Sequence, residues 1–277
     1  MEISACLFPL APGVRRIEGF LGGVPSDVFK GAADEGLHIL HLHGGAFFTG
    51  SRRTHAALAS ELCARSGATV HLLDYRLAPE HPWPAAPSDV LQAWQALRDQ
   101  GVAADQIVVS GDSAGGALAL GLAQHLRDQG EPGPAALLMI SPFLDLRLNA
   151  PSVRALADAD PMVTEAALRR GGDAYRGGLA HGDPRISPLM GELHGLPPTL
   201  VQVGSDEILL DDALRLEQLA SPQGSTVVVQ TWEGAWHDFQ LFARLLPSAA
   251  RALDELAAWA RAKALPHSLH QAPTSPH

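Results

Sequence analysis

Gly111-Asp112-Ser113-Ala114-Gly115 is a G-x-S-x-G pattern between an apolar run, Gln106–Ser110, and a helical pattern, Ala114–Gln129. Small residues around Ser113 let the chain turn sharply and present the hydroxyl at the carboxyl end of a strand, where a serine can act as a nucleophile. A serine that merely caps the following helix is the plainer use of the same residue. His43-Gly44-Gly45-Ala46-Phe47 follows another strand-like run, His38–Leu42, and its glycines let backbone N–H groups come close to a ligand. Acyl transfer requires such donors for its oxyanion, and Gly44, Gly45 and Ala114 are the expected set. Taken alone, the loop would read as a glycine-rich turn.

A serine in this setting asks for an acid and then a histidine further along the chain. Val201-Gln202-Val203-Gly204-Ser205-Asp206-Glu207 puts Asp206 just past a buried strand, the position where α/β sites collect, so Asp206 is the expected acid. On that reading Glu207 points elsewhere, and Asp211 and Asp212 fall in the first turn of a helix, where negative charge suits the helix dipole. His237, in Glu233-Gly234-Ala235-Trp236-His237-Asp238-Phe239, follows the last strand by a short loop and can swing over the sheet to Ser113. It is the expected base; its neighbour Asp238 is poorly placed to orient the ring and is read as structural. His41 and His43 have the H-x-H spacing of a metal site. No compact ligand cluster accompanies them and neither Cys6 nor Cys63 is near, so no metal is expected.

The elements that must position these groups alternate. Strand-like runs at Ala68–Leu73, Ala135–Ile140, Thr199–Val203 and Thr226–Thr231 join the two above, with helical patterns at Thr54–Ser66, Ala85–Gln100 and Leu210–Ala220. A last one, Phe239–Lys263, is interruptible at Pro247. Such alternation demands crossovers, hence an α/β fold with a mostly parallel sheet flanked by helices. Upstream, Val14–Phe20 and Val24–Phe29 flank Leu21-Gly22-Gly23 and fit an antiparallel pair at one edge. The connection from Ser141 to Pro198 is too long for a simple crossover and holds a helical stretch near Asp160–Tyr175, bounded by glycine pairs, so an insertion of lid type is expected there.

The 277 residues are 46% hydrophobic and 18% charged, which fits one globular domain over residues 1–265, with a disordered tail over 266–277. A net charge of −10 disfavours nucleic acid and anionic lipid surfaces. Two cysteines give no disulfide framework, and Glu2 stands where a secretory leader would be basic. With no long apolar run, the expectation is a cytoplasmic protein with no membrane partner.

His43–Phe47, Gly111–Gly116, the run Asp74–Ala86, Gly204–Asp206 and His237 together resemble the hormone-sensitive-lipase-like carboxylesterases of the α/β-hydrolase fold, those with a GDSAG serine motif. The resemblance runs from about Leu40 to Ala260. It implies an eight-stranded sheet, a helical cap, no cofactor, and hydrolysis of short to medium acyl esters through an acyl-enzyme. Carried over by motif, Ser113 is the nucleophile, Asp206 the acid and His237 the base, with Gly44, Gly45 and Ala114 as oxyanion donors. Arg76 and Glu80 are expected to tie down the loop beside the elbow.

One departure matters: only Met1–Gly13, with Pro9 and Pro12, precede the first strand, too little for a two-helix leader, so a reduced cap is expected. A more open pocket favours acyl chains of roughly C2 to C6. Rival readings are an amidase or formamidase on the same triad, and a small-molecule receptor that has kept the pocket and lost the chemistry. If Thr226–Thr231 is an exposed edge, it could pair across a two-fold axis in a homodimer.

Overall fold

The computed structural model describes residues 8–32 and 36–264. The tail expected to be disordered and most of the short leader lie outside the described residues. A single sheet of eight strands organises the rest: β1 (Arg15–Leu21), β2 (Val24–Lys30), β3 (His38–Leu42), β4 (Thr69–Leu73), β5 (Ile107–Asp112), β6 (Ala136–Ile140), β7 (Thr199–Gly204) and β8 (Val227–Trp232). Their spatial order is β1-β2-β4-β3-β5-β6-β7-β8. The β1–β2 and β2–β4 pairs are antiparallel and the others parallel. Gly22 and Gly23 both take positive φ, 61° and 83°, as a two-residue hairpin turn requires.

Alternation along the strands divides the core. Leu40, Leu42, Ile107, Val109, Leu137 and Met139 face one layer; Ile39, Val108, Leu138 and Ile140 face the other. The first layer is closed by α2 (Ala85–Asp99), α3 (Ala114–Asp128) and α6 (Leu210–Ala220), the second by α1 (Ala56–Ser66) and α7 (Pro247–Ala264). Both sheet faces are covered, which is why β4, β5, β6 and β7 are buried along their whole length.

The strand order changes direction at β3, which lies between β4 and β5. At such a switch the loops leaving neighbouring strands diverge and open a crevice at the carboxyl edge. Leu42 is paired with Gly111, so the loop after β3 and the turn after β5 emerge side by side.

The long connection from β6 to β7 carries α4 (Pro151–Ala155) and α5 (Glu165–Tyr175). Gly171 and Gly172 lie inside α5 and do not bound it. The reason is packing: a Cβ on Gly171 would come within 2.2 Å of the Ala46 carbonyl oxygen, so glycine lets this helix rest on the loop after β3. Tyr175, at its end, stacks on Phe47 of that loop with ring centroids 3.9 Å apart. The insertion is also clipped to the turn after β7. Asp160 accepts from the N–H groups of Met162, Val163 and Ile208, and Ser152 donates its N–H to Asp211 and its hydroxyl to the Ile208 carbonyl. Asp212 accepts from Leu144 and Asp145. Asp211 and Asp212 thus sit in the first turn of α6 as expected, but they hold the insertion as well. Arg76 pairs with Asp89 of α2, at 2.7 Å, and Glu80 is exposed; the loop is tied to the following helix, not by a pairing within itself.

Candidate active site

Ser113 stands on the turn between β5 and α3 with φ 49° and ψ −116°, a backbone region that L residues avoid. The surrounding glycines make this turn possible. Cβ atoms on Gly111, Gly115 and Gly116 would approach the Gly115 backbone, the Leu42 carbonyl and Pro142 to 2.3, 1.9 and 2.6 Å. The Ser113 N–H is paired with the Ile140 carbonyl and its own carbonyl accepts from Phe143, so the strained residue is held from both sides.

His237 Nε2 lies 3.1 Å from Ser113 Oγ, bringing together two of the expected residues from opposite ends of the chain. The carboxylate nearest Nδ1 of the ring is that of Glu207, not that of the expected Asp206. Asp206 is half-buried, its carboxylate accepts from its neighbour Ser205, and its N–H is paired with the Ala235 carbonyl. Glu207 is fully buried and its Oε1 is 4.0 Å from His237 Nδ1. Its Oε2 accepts from the Ser141 hydroxyl at 2.7 Å and from the Gly204 N–H at 3.1 Å. The reason is local: the chain leaves strand geometry at Gly204, so the two-residue alternation that would have turned Asp206 inward no longer applies.

Charge around the imidazole is dense. Burial resists charging of His237, but the Asp238 carboxylate, 3.1 Å from Nε2, and Glu207 outweigh it and push the imidazole up to about 9. Burial pushes the Glu207 carboxyl up to about 8, with the His237 cation and the Ser141 hydroxyl pulling the other way. Asp238 is also raised by burial. These three groups titrate together.

On the other side of Ser113 the loop after β3 is fixed by a second buried carboxylate. Asp112 Oδ2 accepts from the Gly44 N–H at 2.8 Å and lies 3.0 Å from His55 Nε2, while Oδ1 is 3.2 Å from His41 Nε2. Burial alone would raise this carboxyl; His55 and His41 hold it well below the usual carboxylate range. The same charge raises the pKa of His55 against its own burial. The Gly44 N–H, expected to serve as an oxyanion donor, is hydrogen-bonded to Asp112 instead. The N–H groups of Gly45, Ala46 and Ala114 have no hydrogen bond to protein among the described residues. Gly45 has φ +121°, and a Cβ there would lie 2.2 Å from the Thr49 carbonyl oxygen. His43 and His41, the H-x-H pair, are engaged locally: His43 Nδ1 is 2.8 Å from the Gly44 carbonyl, its own carbonyl accepts from Tyr75, and His41 Nδ1 is 3.2 Å from Ser110 Oγ.

Ser113 and His237 open into a cavity of about 100 Å³. Its walls are apolar: Phe8 from the leader, Phe48 from the loop after β3, Met162, Val163 and Leu168 from the insertion, and Phe242 after the histidine. Phe8 and Phe242 meet edge to face at 6.1 Å. The short leader therefore does supply part of the wall. Thr54, His55 and Asp238 make the polar end.

Comparison with known proteins agrees with this architecture. Residues 39–241 match the family described as the alpha/beta hydrolase fold. An esterase of Acinetobacter venetianus is 43% identical over 255 residues, covering 92% of this chain and 84% of its own. An acetyl-hydrolase of Streptomyces hygroscopicus is 38% identical over 253 residues, covering 88% and 85%. The crystal structure of an esterase from the bacterial hormone-sensitive lipase family superposes with a TM-score of 0.93 at 36% identity, covering 95% of this chain and 89% of the other. The chain belongs to the α/β-hydrolases, among the bacterial hormone-sensitive-lipase-like esterases.

Proposed function

We propose that the chain hydrolyses short-chain carboxylic esters, with Ser113 as nucleophile, His237 as general base and Glu207, in place of the expected Asp206, as the acid that orients the ring. The observation that carries the reading is the 3.1 Å approach of His237 Nε2 to a serine held on a strained turn over an apolar cavity. His237 takes the Ser113 proton as Oγ attacks the ester carbonyl; the negative oxygen falls to the N–H groups of Gly45, Ala46 and Ala114; the imidazolium then protonates the leaving alkoxide. Water repeats the sequence on the acyl-enzyme. Glu207 supports the Nδ1–H tautomer and stabilises the cation, and its separation of 4.0 Å from Nδ1 leaves room to tighten when substrate binds.

The relatives named esterase and acetyl-hydrolase support ester chemistry and a small acyl group. A cavity of about 100 Å³ is smaller than the ~150 Å³ that takes a benzene ring, so it suits a short acyl group. An acyl-length series of nitrophenyl esters tests this reading: the maximum of kcat/KM is expected at roughly C2 to C6, and a maximum at C10 or longer would refute the small pocket. Ser113→Ala should abolish turnover, and an organophosphate should add its mass at Ser113.

A further inference from the structure

Asp238 is a buried acid for which the ester mechanism has no need. It is 6% exposed, lines the cavity, and follows His237 directly with a left-handed backbone, φ +54°. Its N–H donates to Ser141 Oγ at 3.1 Å, the same hydroxyl that donates to Glu207, so its place is fixed by the acid side of the site. Oδ2 is 3.1 Å from His237 Nε2, and Oδ1 is buried with no hydrogen-bond donor among the described residues. Oδ1 is closed off from the cavity, so Asp238 lines it through Oδ2, the oxygen beside Nε2.

Whatever atom leaves the acyl carbon must come within reach of Nε2, because the imidazolium hands its proton to that atom. It therefore passes beside Asp238. We propose that Asp238 accepts a hydrogen bond from the leaving atom, and that the site accordingly cleaves short-chain secondary amides as well as esters. The inference rests on the serine–histidine reading given above. An ester oxygen has two lone pairs and leaves without reorientation. An amide nitrogen has one, which attack by Ser113 leaves facing away from His237. The nitrogen must invert to present it, and its own hydrogen swings round as it does so. An acceptor that holds this hydrogen favours breakage of the C–N bond. In the balance, the Oγ–C bond forms and the C–N bond breaks; the serine proton passes through Nε2 to nitrogen; the amine departs, and water then releases the acid. A site built to accept a substrate N–H should discriminate strongly on its presence.

The test is a matched pair, 4-nitrophenyl acetate and 4-nitroacetanilide, with the rates of wild type and Asp238 variants expressed per organophosphate-titratable site, so that only folded enzyme counts, and that of Ser113→Ala per mole of protein. The wild type should hydrolyse the anilide above the level of Ser113→Ala. Asp238→Ala should lose about 10- to 100-fold more on the anilide than on the ester, the range for a hydrogen bond to a charged group. Asp238→Asn, which keeps an acceptor oxygen, should recover part of that ratio. Equal loss on both substrates would mean that Asp238 acts only through His237, and the inference falls. Ester turnover by the wild type with no anilide turnover above Ser113→Ala overturns it too, whatever the variants do. Failure of the wild type on the ester would instead overturn the serine–histidine reading itself.

Discussion

Two buried carboxylates flank Ser113, and their environments push them in opposite directions. Asp112 is surrounded by two imidazoles and a backbone N–H, and its pKa is held down. Glu207 has a hydroxyl, one N–H and an imidazole at 4.0 Å, and burial drives its pKa up to about 8. The first is a permanent anion whose partners fix a stretch of backbone. The second has fewer partners, and burial outweighs the pull of the His237 charge and the Ser141 hydroxyl. A buried carboxylate with two imidazoles and a backbone N–H around it keeps its charge, whereas one with a hydroxyl, one N–H and a more distant imidazole gives way to burial.

The comparison breaks first at the acid. Glu207→Gln should cut turnover on the order of 10⁴-fold, the precedent for replacing a triad acid by its amide, because the wrong histidine tautomer is then favoured. Asp206→Asn should leave turnover within a few-fold of wild type, since among the described residues that carboxylate is hydrogen-bonded to Ser205 and not to His237. Steady-state kinetics on a short-chain nitrophenyl ester decides. If Asp206→Asn proved the more damaging change, the assignment of the acid from geometry would be wrong.

Next comes the other carboxylate. Asp112→Asn removes the charge that holds Gly44 and should loosen the loop that presents Gly45 and Ala46. The expected loss is in kcat with KM little altered, about 10²–10³-fold, the cost of losing one oxyanion donor. A rise in KM at constant kcat would mean that Asp112 shapes substrate binding instead.

The sequence makes one of these regions more legible than the other. Strand and helix alternation, the serine turn and the histidine after the last strand are all readable because each depends on local pattern: β3 and β7 begin where the apolar runs begin. The place of the acid is less legible: Asp206 and Glu207 both lie just past β7, and which of them turns toward His237 depends on how the chain bends after Gly204. The available signal is Ile208-Leu209, both fully buried, which show the chain re-entering the core immediately after Glu207. Asp112 and His55 are beyond local pattern altogether, since they meet across 57 residues. The same holds for Gly44, whose N–H looks free in sequence and is consumed by Asp112.

A smaller effect concerns protonation. His237 must be neutral to accept the serine proton, and the flanking carboxylates raise its pKa to about 9. The acid limb of kcat/KM should therefore lie above the 6.5 of an ordinary imidazole. Asp238→Asn removes the nearer anion, destabilises the imidazolium and moves that limb toward acid. At a pH on the limb, activity as a fraction of the plateau should rise about tenfold for each full pH step that the limb moves. A limb that stays in place in the variant would assign the raised histidine pKa to Glu207 alone.

The smallest effect is on stability, and it sharpens the contrast because the two carboxylates should give opposite signs. The folded-state pKa of Glu207, about 8, lies above its ordinary 4.5, so the folded protein binds the extra proton between those values. Its contribution is fully present below the ordinary value and is lost as pH rises through 8. Asp112 is depressed below its ordinary 3.8, so its contribution is present above that value and is lost as pH falls. Glu207→Gln removes a buried charge that ionises at a cost. Its Tm should match wild type near pH 5 and exceed it at pH 9, each kcal/mol appearing as about 2–4 °C for a chain of this length. Asp112→Asn should lower Tm at both pH values, because the ion it removes is paired at both. Thermal unfolding at the two pH values separates these outcomes. If Glu207→Gln were destabilised at pH 9 as much as Asp112→Asn, both carboxylates would be anchors, and a poised group at the acid position would have to be given up.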